Sequence, residues 1–90
     1  LKDLDVSNNK IGPRGARMLF LNPSITTLNL RKNKLGKEGA LLFQGNVTIK
    51  TLNVAENDIG DEGVLGFSNC SIKDLDLSFN NISEIGAVLL

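Results

Sequence analysis

The sequence predicts an α/β solenoid in which short strand-turn-helix units stack side by side, and three observations support this prediction. A nine-residue motif recurs four times, apolar residues return at fixed positions within it, and every copy ends in an asparagine. The copies read LKDLDVSNN from Leu1, ITTLNLRKN from Ile25, IKTLNVAEN from Ile49 and IKDLDLSFN from Ile72. Their spacings of 24, 24 and 23 residues are typical of proteins built from stacked repeats.

The first half of each unit is predicted to be a short strand followed by a turn. Apolar residues occupy the fourth and sixth motif positions, and a spacing of two places both on the same face of a strand. These residues are Leu4 and Val6, Leu28 and Leu30, Leu52 and Val54, and Leu75 and Leu77. We expect the closing asparagines to form a buried ladder, because their amides can satisfy backbone groups at the turn. They are Asn9, Asn33, Asn57 and Asn80.

The second half of each unit is predicted to be a helix of roughly two turns. In the first unit Ile11, Ala16 and Leu19 fall on one helical face, and Pro13 suits the first helical position. The equivalents of Leu19 are Phe43, Phe67 and Leu90. A Gly or Ser at positions 12, 36, 60 and 83 is expected to be the N-cap. Glycine recurs at positions 15, 39, 63 and 86, where it predicts a close approach between stacked elements because it is otherwise unfavourable in a helix.

The chain is expected to form one domain, with units at residues 1–24, 25–48, 49–71 and 72–90. Stacked-repeat domains need about three units, and their terminal units usually differ from the rest as caps. Neither end of this sequence has a distinct cap, so we expect the chain to be part of a longer array. Uncapped ends also make end-to-end stacking between copies a possibility.

The consensus of the units is LxxLxLxxNxIGxxGA. In the first unit it is carried by Leu4, Val6, Asn9, Ile11, Gly12, Gly15 and Ala16. This consensus resembles the leucine-rich repeat of the ribonuclease-inhibitor-like class, whose vertebrate members have longer repeats of about 28 residues. The shorter unit with its Gly-Ala pair more closely resembles the GALA-type repeats of bacterial effector proteins, although Gly63-Val64 departs from that pair. The resemblance covers the whole chain and implies a parallel sheet on a concave, partner-binding face.

Composition narrows the partners and the cellular location. Residues 1–45 carry eight Lys or Arg against three Asp or Glu, whereas residues 46–90 carry two against seven, which gives charges of +5 and −5. This asymmetry becomes a dipole along a solenoid and either orients a partner or arises by chance in a short chain. No uniformly basic face is predicted, which argues against nucleic acid, and no segment is suited to cross a membrane. The lone Cys70 favours the cytoplasm, although three Asn-X-Ser/Thr triplets leave glycosylation open.

The predicted partner-binding residues alternate with the core residues along each strand and therefore lie on the concave face. Within the chain these positions vary more than the core positions. We select Asp5, Asn29, Arg31, Lys32, Asn53, Glu56, Asp76 and Phe79. Phe79 is either a binding anchor or a residue that packs against a further repeat, and the charged residues are either binding groups or an ordinary solvated surface.

The sequence does not predict an enzyme, a cofactor or a metal site. It contains no histidine, and the paired carboxylates Asp3 with Asp5 and Asp74 with Asp76 are expected on an open sheet that does not exclude water. The primary functional prediction is a protein-interaction module. If it belongs to a bacterial effector, it would act in the host cytosol. The alternatives are a regulator of a catalytic partner, such as a GTPase-activating protein of the same repeat class, and a structural spacer.

Overall fold

The computed structural model describes residues 2–68, 70 and 72–83. It has four strands, β1 (Asp3–Asp5), β2 (Thr27–Asn29), β3 (Thr51–Asn53) and β4 (Asp74–Asp76). Three helices, α1 (Gly12–Phe20), α2 (Gly36–Leu41) and α3 (Gly60–Gly63), separate them, and a 3₁₀ helix (Val64–Phe67) follows α3. The predicted strand-turn-helix order is confirmed in three units. The helix predicted around Gly86 in the fourth unit lies outside the described residues.

The strands form one parallel sheet in the order β1-β2-β3-β4, with equivalent motif positions paired. Leu4 pairs with Leu28, Leu28 with Leu52, and Leu52 with Leu75. This register follows from the repeat, because a shift by one residue would turn every apolar side chain to the opposite face. The result is the predicted α/β solenoid, with the sheet on one side and the helices on the other.

The core lies between the sheet and the helices and is filled by the repeated apolar positions. Its aromatic part is a row of three rings, in which Phe43 lies 5.0 Å from Phe20 and 5.4 Å from Phe67 between ring centroids. In the first unit the ring comes from Phe20, whereas the predicted Leu19 is only partly buried against the core. The longer α1 places the larger residue one position further along the chain.

The asparagine ladder is confirmed at three of its four positions. Asn33, Asn57 and Asn80 are buried, and the Oδ1 atom of each accepts two backbone N–H groups from the preceding unit. Asn9 is exposed, so the prediction of a buried amide is wrong there. The physical reason is the direction of the ladder, because each amide bonds to the unit before it, and the described residues include no unit before that of Asn9.

The glycine before each helix has a different role from the one predicted. Gly12, Gly36 and Gly60 have φ values of 72°, 63° and 73°, which glycine adopts without the penalty that a Cβ brings. The N-cap residues are instead Ile11, Leu35 and Ile59, and none of the three forms a side-chain cap. These glycines therefore serve the backbone path into the helix and not its capping.

The glycines inside the helices do mark close approaches, but mostly within one unit. A Cβ on Gly15, Gly39 or Gly63 would overlap the side chain four residues earlier, at Ile11, Leu35 or Ile59. The closest approach between units lies at Gly66, where a Cβ would overlap the Ala40 carbonyl of α2. Gly66 is therefore a packing residue that the repeat pattern did not single out.

Candidate partner-binding face

The outward side of the sheet forms a groove of about 810 Å³ that crosses all four strands. The strand register aligns two rows of polar side chains along this groove. The first row is Asp3, Thr27, Thr51 and Asp74, and the second is Asp5, Asn29, Asn53 and Asp76. Carboxylates therefore lie on the two outer strands, and neutral hydroxyl and amide groups lie on the two inner strands.

The second row also stabilises the fold, which sequence reasoning missed. In each unit the Oδ1 atom accepts the backbone N–H two residues further on, at distances of 2.9–3.0 Å. Asp and Asn favour this local turn because their short side chains reach that N–H group. The signal in the sequence was the restriction of this column to Asp and Asn. Asp5, Asn29, Asn53 and Asp76 thus combine a structural bond with an exposed polar group.

Two of these carboxyls are more acidic than usual. The backbone N–H of Ser7 is the main cause of the lowered pKa of Asp5, followed by the Ser7 hydroxyl. The Ser78 hydroxyl is the main cause of the lowered pKa of Asp76, followed by the Ser78 backbone N–H. Hydrogen bonds to a carboxylate favour its charged form. Both residues are therefore anionic at neutral pH.

A second group of predicted residues lies beyond the C-terminal ends of the strands. Nε of Arg31 is 2.7 Å from Oε2 of Glu56, and the exposed fractions of these side chains are 53% and 35%. From the sequence, Arg31 and Glu56 were expected to be separate charges. In the structure they form an ion pair between units. A potential partner therefore meets a largely neutralised pair at this position.

Lys32, Glu56 and Phe79 are equivalent turn residues with left-handed backbone conformations, at φ values of 59°, 55° and 56°. This conformation is uncommon for residues other than Gly, Asn and Asp, and it is least expected for a bulky side chain. Phe79 is nevertheless 78% exposed. Its ring therefore neither packs in the described core nor favours the local backbone.

The residue equivalent to Arg31 in the third unit is buried. Ala55 lies in the same column as Arg31, but its methyl group is 3% exposed. The side chain is too short to reach past its neighbours into solvent. Of these two equivalent residues, Arg31 therefore belongs to the candidate surface and Ala55 does not.

The helical side carries a smaller groove of about 320 Å³, which sequence reasoning did not identify. Leu21, Leu42 and Val47 line it and are exposed, together with Arg17. The sequence feature that could have indicated this groove is the presence of apolar residues outside the repeated motif positions.

Among the described residues no group of His, Cys, Asp and Glu is arranged to hold a metal ion. In the same part of the chain, no helix has the length and apolar character needed to cross a bilayer.

A parallel sheet, a helix on its return path and an asparagine ladder together define a solenoid of short repeats. A family model described as Leucine Rich repeat matches residues 1–20, 21–43, 45–68 and 68–90. The chain therefore belongs to the leucine-rich-repeat family, whose repeats generally mediate protein–protein interactions and are typically non-catalytic. A comparison with curated proteins found no match.

Proposed function

We propose that the chain is a protein-interaction module that binds its partner on the concave sheet face. The groove supports this proposal because it crosses every unit and is lined by polar groups above a packed core. An array of short strands is also a rigid platform, since each strand is bonded to its neighbours in a single register. Such a platform binds without a large ordering cost.

The observation that carries the proposal is the exposed ring of Phe79. Aromatic residues are enriched among the residues that dominate binding energy, because a flat apolar ring contributes a large contact area. Phe79 occupies a left-handed turn position where the backbone disfavours it, and its side chain is 78% exposed. The described fold gives no reason for phenylalanine at this position, and we favour contact with a partner over packing against a further repeat as the reason.

The Arg31–Glu56 pair has a more limited role in this proposal. An exposed ion pair contributes little to stability, about 0–1 kcal/mol. A partner that inserts a charged group next to it would exchange one ion pair for another. We therefore assign the pair to orientation of the partner, and the contact energy to Phe79 and the groove.

The finer form of the proposal is a recognition arm of a bacterial effector that acts in the cytoplasm. The 24-residue unit and the Gly-Ala pair at Gly15-Ala16 and Gly39-Ala40 support this form. Head-to-tail association of two copies is a further form, supported by the charges of +5 and −5 on the two halves. Neither form alters the location of the proposed contact surface.

The test is selection of binders from a displayed peptide library, followed by affinity measurements on two triple variants. The concave variant combines Arg31→Ala, Glu56→Ala and Phe79→Ala. The control on the helical side combines Arg17→Ala, Met18→Ala and Glu38→Ala, and it removes a cation, an anion and an exposed apolar group in the same way.

We expect the concave variant to weaken the selected binders at least tenfold and the control to change their affinity less than twofold. Circular dichroism should show that both variants keep the wild-type fold. Binders that are insensitive to the concave variant and lost in the control would place the contact surface on the helices and refute the proposal.

A further inference from the structure

The groove has a defined order of hydrogen-bonding groups along the solenoid axis. Acceptors lie at its two ends, where β1 carries Asp3 and Asp5 and β4 carries Asp74 and Asp76. Donors lie between them. Among the described residues, the Thr27 and Thr51 hydroxyls and the Asn53 amide nitrogen have no hydrogen-bond acceptor. A ligand that crosses the sheet therefore meets carboxylates, then neutral donors, then carboxylates.

The charge balance within the groove is negative. It contains four aspartates and one lysine, Lys73, which gives a net charge of −3. The positive charge of the nearby Arg31 contributes to the lowered pKa of Asp76, but its guanidinium is bonded to Glu56 at 2.7 Å, so it does not neutralise the groove. None of the four aspartates forms an ion pair within the described part of the chain. The groove therefore favours a cationic ligand and repels an anionic one.

The distance between the two acidic ends sets the spacing of the cations. Adjacent strands lie about 4.8 Å apart, so β1 and β4 are separated by roughly 14 Å. An extended peptide rises about 3.3 Å per residue, so this distance corresponds to about four residues. Residues i and i+4 of an extended segment also lie on the same face. Both side chains can therefore point into the groove together.

We propose that the concave groove binds an extended polypeptide segment with Lys or Arg at positions i and i+4, one cation on the β1 aspartates and the other on the β4 aspartates. This inference rests on the proposed function and specifies the partner. The segment crosses the strands above the Thr27 and Thr51 hydroxyls and the Asn53 amide, which can donate hydrogen bonds to it. Residue i+2 faces the two inner strands, where a small or polar side chain fits the neutral surface.

The repeat itself supplies fold-safe variants for the test. Asn occupies the positions equivalent to Asp5 and Asp76 in the second and third units, where its Oδ1 atom accepts the same turn N–H group. The double variant Asp5→Asn and Asp76→Asn therefore removes two charges and keeps the structural bonds. The control is Glu38→Gln with Glu62→Gln, which removes two charges from exposed residues on the helical side.

The assay is fluorescence polarisation at low ionic strength with two labelled peptides of identical composition. Both are seven-residue Thr/Val peptides with two lysines. In the probe the lysines are four positions apart, and in the control peptide they are adjacent. We expect the spaced peptide to bind wild type about tenfold more tightly than the adjacent peptide. Loss of two exposed ion pairs in the aspartate variant should weaken the spaced peptide by a similar factor of about ten.

Four outcomes would overturn the inference. Equal binding of the two peptides would mean that the groove senses net charge and not spacing. An equal loss of affinity in the glutamine control would place the contact outside the groove. If neither peptide binds while library binders still depend on the concave triple variant, the cation spacing is wrong and the proposed function stands. If the library binders also ignore the concave face, both proposals fail.

Discussion

Replacement of Asn57 by alanine tests the mechanism that holds the units together. The Asn57 side chain is 1% exposed. Its Oδ1 atom accepts the N–H groups of Asn33 at 2.9 Å and Leu35 at 3.2 Å. Its Nδ2 atom donates to the carbonyls of Leu30 at 2.8 Å and Ala55 at 3.0 Å. One side chain thus connects the second and third units at a site from which water is excluded.

The magnitude follows from the groups that alanine would leave without a partner. The Ala55 carbonyl still accepts the Lys32 N–H group at 2.9 Å, so it remains satisfied. The N–H groups of Asn33 and Leu35 and the Leu30 carbonyl lose the partners described above. A buried unsatisfied backbone group costs about 1–3 kcal/mol, so the three together should cost at least about 3 kcal/mol. A chain of this length is stable by roughly 5–13 kcal/mol in total.

The assay is urea unfolding followed by circular dichroism, with Asn9→Ala as the matched control. Asn9 occupies the same motif position but is exposed, and its amide donates to the Val6 and Ser7 carbonyls. The Val6 carbonyl keeps a second donor, Nδ2 of Asn33, at 2.9 Å. Asn9→Ala should therefore cost less than about 1 kcal/mol. Equal losses of unfolding free energy in the two variants would show that burial of the ladder does not stabilise the fold.

Four further expectations follow from the packing and the exposed charges. Phe43→Ala should lower the free energy of unfolding by about 3–5 kcal/mol, because it removes the central ring of the aromatic row; urea unfolding measures this. Gly66→Ala should cost about 1–3 kcal/mol by overpacking against α2, whereas a gain of stability on thermal unfolding would contradict the close approach. Arg31→Ala should cost less than about 1 kcal/mol, since its ion pair is exposed, and a larger loss in the same assay would show that the pair is structural. The lowered pKa of Asp76 means that its carboxylate stabilises the fold above the ordinary value of 3.8 and loses this effect as pH falls through the folded-state value; acid titration of Asp76→Asn should therefore show less destabilisation below that pH than wild type.

The fold could be predicted from the sequence because the same pattern of apolar residues, asparagine and glycine occurs in four copies. Leu28 and Leu52 recur in register with their equivalents, and a period of 24 residues leaves room for one strand and one short helix per unit. The exposure of Asn9 could not be predicted from the motif alone, since its buried equivalents in the other units are also asparagines. It depends on whether a neighbouring unit supplies backbone donors.

The candidate face was predicted less completely than the fold. The sequence placed Asp5 and Asp76 on the outward side of the sheet through strand alternation, and the strand register aligns them. It did not reveal that both accept a local backbone N–H group, or that Arg31 and Glu56 are bonded to each other. Both contacts depend on side-chain conformations at the turns, which alternation does not determine. The apolar groove at Leu21 was missed for a different reason, because residues of two units line it and come together only when the units stack.

The sequence by itself determined the unit, its period and the separation of core from surface. These features are set by local periodicity, and every copy repeats the same constraint on burial. Only the tertiary structure decided which polar groups remain available to a partner. Stacking joins Arg31 to Glu56 and pairs turn N–H groups with the ladder asparagines, while it leaves the outer aspartates and Phe79 in solvent. The physical reason is that a polar group is available to a partner only if no neighbouring unit bonds to it. The neighbouring residues are about 24 positions away along the chain, and they become adjacent only when the units stack.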